Sequence, residues 1–269
     1  MLTCDVIGTG PANSGLGNQM CVIAATLSLA IDNNVPAVFP DLAYPPYAFY
    51  GNTIFSSLKV GGNKAFVENV FQETPFTSTV YNEIPFRDNL CLRGHYQSYK
   101  YFYHNLDKIR EAFRLPDNLT EIARTKYAEL LNMDNTVGMH VRRGDYMSLQ
   151  SNYAILTEDY YLRALSEIGD VSKIVVFSDD IEWCIYNMSS LAERDAFFVK
   201  GEMDILDLFL MSKMKHNVIA NSTFSWWAAL LNENHDKKVI APIAWFGPAR
   251  TKDNARETAD LMPPTWTRM

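Results

Sequence analysis

The sequence has few cysteines and no long apolar run, and both absences narrow the class of protein. Its 269 residues include four cysteines, none in a CxxC pair or at a spacing typical of zinc ligands. Scattered cysteines favour a reducing compartment, where thiols act as small apolar side chains. No apolar run approaches the ~20 residues of a membrane-spanning helix, and no basic segment typical of a signal peptide opens the chain. We therefore expect a cytoplasmic protein without stable membrane insertion, with peripheral association at the inner membrane face as the alternative.

Positive charge is also scarce. The chain has 24 Lys and Arg against 31 Asp and Glu, a formal net charge of −7. A nucleic-acid-binding surface needs a field of the opposite sign, so we expect no nucleic-acid partner. A local basic pocket for one small anion stays compatible with this charge, because net charge does not describe a single site.

Several catalytic motifs are missing. The sequence has no HExxH, GxSxG or Walker A pattern and no His/Cys cluster. It also has no Asp-x-Asp, the carboxylate pair through which many nucleotide-sugar transferases hold a divalent ion. If a diphosphate binds here, arginines and helix N-termini must offset its charge. We therefore expect neither a metal ion nor a cofactor.

The first half of the chain has weak periodicity. The chain opens with a short apolar piece from Cys4 to Gly8, and apolar residues at steps of three and four predict a helix from Leu16 to Ala30. Val35 to Phe39 indicates a strand. Helices are predicted from Leu106 to Phe113 and from Leu119 to Leu131.

The second half alternates regularly between strand and helix patterns. The predicted strands are Thr136–Val141, Lys173–Phe177, Ala196–Val199, Val218–Ala220 and Lys238–Ala241. The predicted helices are Glu158–Ile168, Ile181–Asn187, Ile205–Met214 and Phe224–Leu231. This alternation predicts an α/β fold with a parallel sheet covered by helices on both faces. We expect two domains, 1–134 and 135–269.

Ligands of parallel α/β sheets bind beyond the carboxyl ends of the strands, and a polar cluster follows the strand that ends at Val141. Alternation places His140 and Arg142 on one face of that strand. Arginine suits a diphosphate because its planar fork makes bidentate bonds and stays charged. The alternative for this cluster is a salt bridge between Arg143 and Asp145 that closes a loop.

Two further polar clusters follow predicted strands. Asp179 could accept hydrogen bonds from a base or a ribose, whereas Asp180 is placed to cap the next helix. The stretch from Asn221 to Ser225 opens a helix, and free N–H groups at a helix N-terminus bind anions. Capping would need one of its polar side chains, and the stretch has four. The tryptophans that follow, at 226 and 227, are predicted to pack in the core.

Glycines near the N-terminus mark a fourth candidate. Gly15 and Gly17 precede or open the first predicted helix, and glycine lets a ligand approach the backbone closely. A tight strand-to-helix turn would need the same residues. Gly8 and Gly10 form half of a dinucleotide-binding fingerprint, without a convincing third glycine or later acid.

The polar clusters together resemble glycosyltransferase family 11, the α-1,2-fucosyltransferases. The matching segments, in the order of the family, are Gly15–Met20, Gly94–Phe102, His140–Tyr146, Phe177–Asp180 and Asn221–Ala229. The sequence departs from the family pattern at Tyr99, where an acidic residue usually precedes the lysine, and this bears on acceptor recognition.

The resemblance implies a GT-B architecture, two Rossmann-like domains facing a cleft, with the first on the acceptor side and the second binding the GDP-sugar. It implies metal-independent, inverting transfer of fucose from GDP-fucose to the 2-hydroxyl of a galactose-terminated glycan. Arg142 matches an arginine that neutralises the β-phosphate, His140 a ribose or phosphate contact, and Asn18 a residue on the donor side. Alternatives are transfer of another GDP-sugar, such as GDP-mannose, and a non-catalytic nucleotide-sugar-binding module.

From the residues and the resemblance we expect two overlapping groups of site residues. Asp145 is a candidate base, although it could serve only to orient Arg143, and a dissociative path would need little help from a base. The expected catalytic residues are Arg142, Asp145 and Asn18. The expected donor-binding residues are His140, Arg142, Asp179, Asn221, Ser222, Thr223, Ser225 and Gly17.

Overall fold

A computed structural model describes residues 1–4, 15–39, 48–59, 66–74, 79–253 and 258–269. The chain divides into an N-terminal unit, Met1–Asp117 with Glu257–Pro263, and a C-terminal unit, Asn118–Arg256 with Pro264–Met269. The assignment of an acceptor-side role to 1–134 and a donor-side role to 135–269 stays a prediction. No helix in the described part of the chain combines the length and apolarity that a membrane crossing requires.

The N-terminal unit is built on a parallel sheet. Its strands are β1 (Leu2–Cys4), β2 (Asn69–Gln72) and β3 (Leu90–Arg93), in the order β1-β3-β2. Helix α1 (Leu16–Asp32) packs on β1 and β3, with α2 (Ala48–Gly51) and α3 (Leu106–Ala112) in the same unit.

The predicted elements of this unit are partly recovered. The first helix is confirmed: it ends at Asp32, Asn33 is its C-cap, and Asn34 follows with a φ of 52°. The strand predicted at 35–39 is reduced to isolated bridge residues at Ala37 and Phe39, and Ala37 pairs in parallel with Leu2. The apolar piece from Cys4 to Gly8 lies mostly outside the described residues, as does Gly10.

The C-terminal unit is a six-stranded parallel sheet flanked by helices. Its strands are β4 (Thr136–Val141), β5 (Lys173–Ser178), β6 (Phe197–Phe198), β7 (His216–Val218), β8 (Val239–Ala241) and β9 (Thr267–Arg268). The helices, in chain order, are α4 (Asp117–Lys126), α5 (Ala128–Leu131), α6 (Glu158–Ile168), α7 (Ile181–Asn187), α8 (Ser189–Ala192), α9 (Asp204–Lys213) and α10 (Thr223–Leu231). The α/β class is confirmed.

The strand order of this sheet is β6-β5-β4-β7-β8-β9, with every neighbouring pair parallel. The first strand of this sheet along the chain, β4, is therefore central. The chain adds β5 and β6 on one side of β4 and then β7, β8 and β9 on the other side. This is the doubly wound order of dinucleotide-binding sheets, in which ligands bind where the winding reverses. Here the reversal lies between β4 and β7.

Strand β4 is buried along its whole length because helices cover both faces of the sheet. Val137, Met139 and Val141 pack with α6 in the main core cluster. On the other face, a side chain at Gly138 would press on Met211 of α9. This separation of odd and even positions agrees with the predicted alternation.

The bounds of two other predicted elements of this unit differ in the structure. The helix predicted from Leu119 to Leu131 is two helices, α4 and α5, interrupted at Tyr127. The strand predicted from Val218 to Ala220 begins and ends two residues earlier. Trp226 and Trp227 are fully buried, as predicted.

Candidate functional site

The reversal point of the C-terminal sheet brings two of the predicted clusters together. The hydroxyl of Tyr146, just after β4, donates to the backbone oxygen of Asn221 at 3.0 Å, just before α10. The ring of His140 lies 5.2 Å from that of Phe224. The polar residues after β4 and the N-terminus of α10 therefore line the same edge of the sheet.

Arg142 has a fixed orientation at this edge. Its Nη2 lies 2.6 Å from Asp145 Oδ1 and its Nη1 lies 3.0 Å from Asp179 Oδ2. The guanidinium carbon is 5.0 Å from the centre of the Tyr146 ring. The Nε–H is buried and has no hydrogen-bond partner within the described residues. Arg142 is thus oriented by two carboxylates and a ring, and its buried Nε–H is left for another acceptor.

Tyr146 is a site residue for which sequence reasoning assigned no role. Its ring stacks on that of Tyr153 with centroids 4.2 Å apart and planes within 9°. The guanidinium of Arg142, Tyr146 and Tyr153 therefore form a column. A cation over an aromatic face is stabilised by the ring quadrupole, so the column restrains Arg142 from a third direction. The sequence carries no periodic signal for this contact, because Arg142 follows β4 and Tyr146 lies in the 3₁₀ turn Gly144–Ser148.

Asp179 clamps the turn that follows β4. Its Oδ1 accepts the backbone N–H of Arg143 at 2.9 Å, while Oδ2 pairs with Arg142. Only glycine fits at position 144, because an added Cβ would overlap the carboxylate of Asp179. Both oxygens of Asp179 thus have partners within the protein. Its contact with a base or a ribose stays a prediction.

The predicted pairing of Arg143 with Asp145 is wrong. Arg143 Nε lies 3.2 Å from Asp180 Oδ2, and its guanidinium carbon lies 3.4 Å from the centre of the Trp183 ring. Asp145 pairs with Arg142 instead. The predicted side-chain cap is also wrong, since Asp180 occupies the cap position of α7 but makes no capping hydrogen bond. The charge of Arg143 draws its carboxylate away from the helix.

His140 is a neutral, buried imidazole. Burial, with a smaller contribution from the charge of Arg142, lowers the pKa of His140 to about 3. Its Nδ1 has no hydrogen-bond partner among the residues that the structure describes. A buried polar atom of this kind costs free energy unless something bonds to it. His140 is therefore suited to a ligand hydrogen bond that does not change with pH near neutrality.

The side chain of Asn221 is hydrogen-bonded to the backbone of two neighbouring segments. Its Nδ2 donates to Ala154 O at 2.9 Å and to Trp245 O at 2.8 Å. Its Oδ1 is buried and lacks a hydrogen-bond partner in the described part of the chain. The amide group thus has a structural role that accounts for its two donors, and its carbonyl oxygen is left to accept.

The hydroxyl groups around the start of α10 differ in what they do. Ser222 is the cap residue of α10, and its side chain accepts from Phe224 N at 3.4 Å. Ser225 is fully buried and accepts from Ala220 N at 3.2 Å. Thr223 is the partly exposed first residue of the helix. Local structure therefore explains Ser222 and Ser225, whose contacts with a diphosphate stay predictions together with that of Thr223.

Asn18 and Gly17 lie in the first turn of α1, in the N-terminal unit, after the exposed Gly15. Gly17 is buried. Asn18 Oδ1 accepts from Gln97 Nε2 at 2.8 Å. This bond joins two of the segments on which the family resemblance rests. The roles expected of Gly17 and Asn18 stay predictions.

The turn that carries Gln97 is held by Glu73, which sequence reasoning missed. The two carboxylate oxygens of Glu73 accept the backbone N–H groups of His95 at 2.6 Å and Tyr96 at 3.0 Å. A Cβ at Gly94 would overlap Glu73, and Tyr96 has a φ of 49°. Burial raises the pKa of Glu73, and the two N–H groups oppose that rise. A positive φ is costly for a bulky residue such as Tyr96, and strained backbone of this kind clusters at functional sites.

No group of three or more His, Cys, Asp or Glu side chains in the described ranges could hold a metal ion. The expectation of metal-independent chemistry stays a prediction, to be tested on the protein in solution.

The chain is similar to known glycosyltransferases. The model of the family described as Glycosyl transferase family 11 matches residues 54–267. The chain is 29% identical over 287 aligned residues to an alpha-1,2-colitosyltransferase of Escherichia coli, covering 95% of this chain and 96% of the relative. The chain is also 30% identical over 207 residues to galactoside alpha-(1,2)-fucosyltransferase 1 of Homo sapiens. That alignment covers 66% of this chain and 55% of the human protein.

Among solved structures, the fucosyltransferase NodZ from Bradyrhizobium shares the fold. It has a TM-score of 0.58 at 14% identity, covering 86% of this chain and 92% of NodZ. The predicted α/β fold of the GT-B type is confirmed by this likeness.

Proposed function

Because the chain belongs to glycosyltransferase family 11, we propose that it transfers L-fucose from GDP-fucose to the 2-hydroxyl of a terminal galactose in a glycan. The observation that carries the donor site is Arg142, an oriented guanidinium with an unused buried donor at the reversal point of a doubly wound sheet. That point is where such sheets bind nucleotides. The human relative, named for galactoside α-1,2-fucosyl transfer, supports the choice of sugar and acceptor.

The proposed reaction is an inverting displacement at the anomeric carbon of the donor. An acceptor hydroxyl attacks that carbon while its bond to the GDP oxygen breaks, and the electron pair stays on GDP. Arg142 and the N–H groups at the start of α10 stabilise the charge that develops on the leaving diphosphate. His140 supplies a neutral hydrogen bond to the donor. Asn18 acts on the transferred sugar, and Asp145 is the candidate to take the proton of the acceptor.

A second donor is favoured by one specific observation. The colitosyltransferase of Escherichia coli aligns with 95% of the chain. Colitose lacks the 3-hydroxyl of fucose. A site built to bond that hydroxyl rejects the deoxy sugar by about 10⁴-fold or more, whereas a site that leaves it in solvent accepts both sugars. The ratio of the two kcat/KM values therefore distinguishes a fucosyltransferase from a colitosyltransferase.

The test is a donor panel with lactose as acceptor, in buffer containing EDTA, with products detected by mass. GDP-fucose, GDP-colitose, GDP-mannose and a UDP-sugar are compared at equal concentration. We expect fucosylated lactose at a rate unaffected by EDTA. Transfer from GDP-mannose or the UDP-sugar in preference to GDP-fucose would refute the proposal. Binding of GDP-fucose with neither transfer nor slow hydrolysis would point to a binding module instead.

A further inference from the structure

We propose that Asp145 is a counter-ion which the donor diphosphate displaces from Arg142, while Asp179 stays in place as the permanent partner. The proposal rests on the function proposed above and assigns the two carboxylates of the site different roles. Both contact the same guanidinium at hydrogen-bonding distance, so a description by distance alone would treat them as equivalent.

The first reason is the charge of the site. Arg142 and Arg143 are paired with three carboxylates, those of Asp145, Asp179 and Asp180. The carboxylates outnumber the guanidinium groups by one before any donor arrives. A diphosphate adds further negative charge to a partly buried region, where like charges repel strongly. Binding is favoured if one carboxylate moves out into solvent.

The second reason is the geometry of the guanidinium. Nε and Nη2 form one edge of the planar group, the edge that makes bidentate bonds to carboxylates and phosphates. Asp145 occupies Nη2 at 2.6 Å, whereas the Nε–H is buried and has no hydrogen-bond partner in the ranges described. Asp145 thus uses half of this edge. A phosphate that bonded both donors would replace one hydrogen bond with two.

The third reason is how differently the two carboxylates are held. The side chain of Asp145 is 57% exposed and pairs with Arg142, on a short 3₁₀ turn. The side chain of Asp179 is 26% exposed, bonds both Arg142 and the backbone of Arg143, and packs on Gly144. An exposed ion pair contributes little to stability, so a diphosphate can replace the carboxylate of Asp145 at small cost. Moving Asp179 would leave a backbone N–H without its partner.

The experiment is calorimetry of GDP binding to the full chain and three variants. Asp145→Asn should bind GDP about three- to fivefold more tightly than wild type, the size typical of one exposed charge pair. Asp179→Ala should bind at least about tenfold more weakly, because it removes the partners of the Arg143 N–H and of Arg142 Nη1 and so loosens the turn that positions Arg142. Asp159→Asn is the matched control, since it removes an exposed carboxylate that pairs with Arg163 on α6. Its GDP affinity should be unchanged.

The sign of the Asp145 effect separates a carboxylate that opposes the diphosphate from one that only stabilises the fold, because removal of the latter does not raise GDP affinity. Thermal melting of each variant checks that it is folded, and Asp145→Ala repeats the test without a side-chain amide. Affinity that is equal to wild type or weaker in both Asp145 variants overturns the inference. A wild-type protein that binds no GDP contradicts the proposed function itself, and the inference falls with it.

Discussion

At the scale of single residues, the proposed reaction makes its greatest demand on Arg142. The leaving GDP develops charge as its bond to the sugar breaks, and without a divalent ion a fixed cation must meet that charge. The structure orients the guanidinium through Asp145, Asp179 and the Tyr146 ring before any donor binds. Pre-orientation matters because a donor group that must reorganise in the transition state loses much of its effect.

We therefore expect Arg142→Lys to lose turnover although it keeps the charge. Lysine lacks the planar fork and cannot bond Asp179 and present a two-donor edge to the diphosphate at once. Loss of a preoriented donor costs about 3–4 kcal/mol in the transition state, or roughly 10²–10³ in kcat. Steady-state kinetics with GDP-fucose measures this loss, and Arg143→Lys serves as a comparison at the neighbouring arginine.

The same variant separates a catalytic from a structural role. Arg142 is partly exposed, so its two ion pairs contribute about 1 kcal/mol each at most to folding. Arg142→Lys should therefore melt within a few degrees of wild type. A variant that melts much lower but transfers fucose within tenfold of wild type would show that the arginine holds the loop and does not serve the chemistry.

At the scale of elements, the sequence predicted well where local pattern and tertiary structure agree. In the C-terminal unit the bounds of β4, α6 and α7 were predicted to the residue, because buried strands and amphipathic helices leave strong periodic signals. β9 was missed, since its two residues form a strand only by pairing with β8 from far away in the sequence. The β2 and β3 strands were missed for the same reason.

Site residues followed a similar division. His140 and Arg142 were recognisable because they are two residues apart at the end of a predicted strand, where a turn begins. The ion-pair partners of Arg142 and Arg143 could not be predicted. Which of the nearby carboxylates each arginine contacts depends on the register in which β4 and β5 pair. Glu73 left no signal, since 22 residues separate it from the N–H group of His95 that it accepts.

The turn after β3 yields a prediction for Glu73→Gln. An amide offers one acceptor oxygen where the carboxylate offers two, so one of the two backbone N–H bonds is lost. Leaving a buried donor unpaired costs about 1–3 kcal/mol, and we expect a melting temperature several degrees lower. Because the turn positions Gln97 against Asn18, transfer should fall by more than the loss of folded protein explains, with GDP affinity unchanged.

The matched control is Glu68→Gln, which removes an exposed carboxylate just before β2. It should leave both the melting temperature and the rate unchanged. If Glu73→Gln melts and turns over as the control does, the carboxylate is not what holds the turn.

At the scale of the whole molecule, each of the two units contains part of the candidate site residues. The oriented arginine, the buried imidazole and the N-terminus of α10 belong to the C-terminal unit, whereas Asn18 and the Glu73-held turn belong to the N-terminal unit. The family match runs through both, from residue 54 to residue 267. A function that needed GDP binding alone could be served by the C-terminal unit, so the N-terminal residues should affect transfer and not nucleotide affinity.

Asn18→Ala tests that division of labour. Asn18 lies in the unit that does not contain Arg142, and its Oδ1 accepts from Gln97. If Asn18 acts on the transferred sugar as proposed, we expect kcat to fall by about 10-fold or more, while the Kd for GDP stays within twofold of wild type by calorimetry. Asn18→Asp keeps the acceptor oxygen and the size of the side chain, so it should retain the Gln97 bond and lose less activity. GDP affinity that falls in step with kcat in Asn18→Ala would place the residue in nucleotide binding and defeat the assignment.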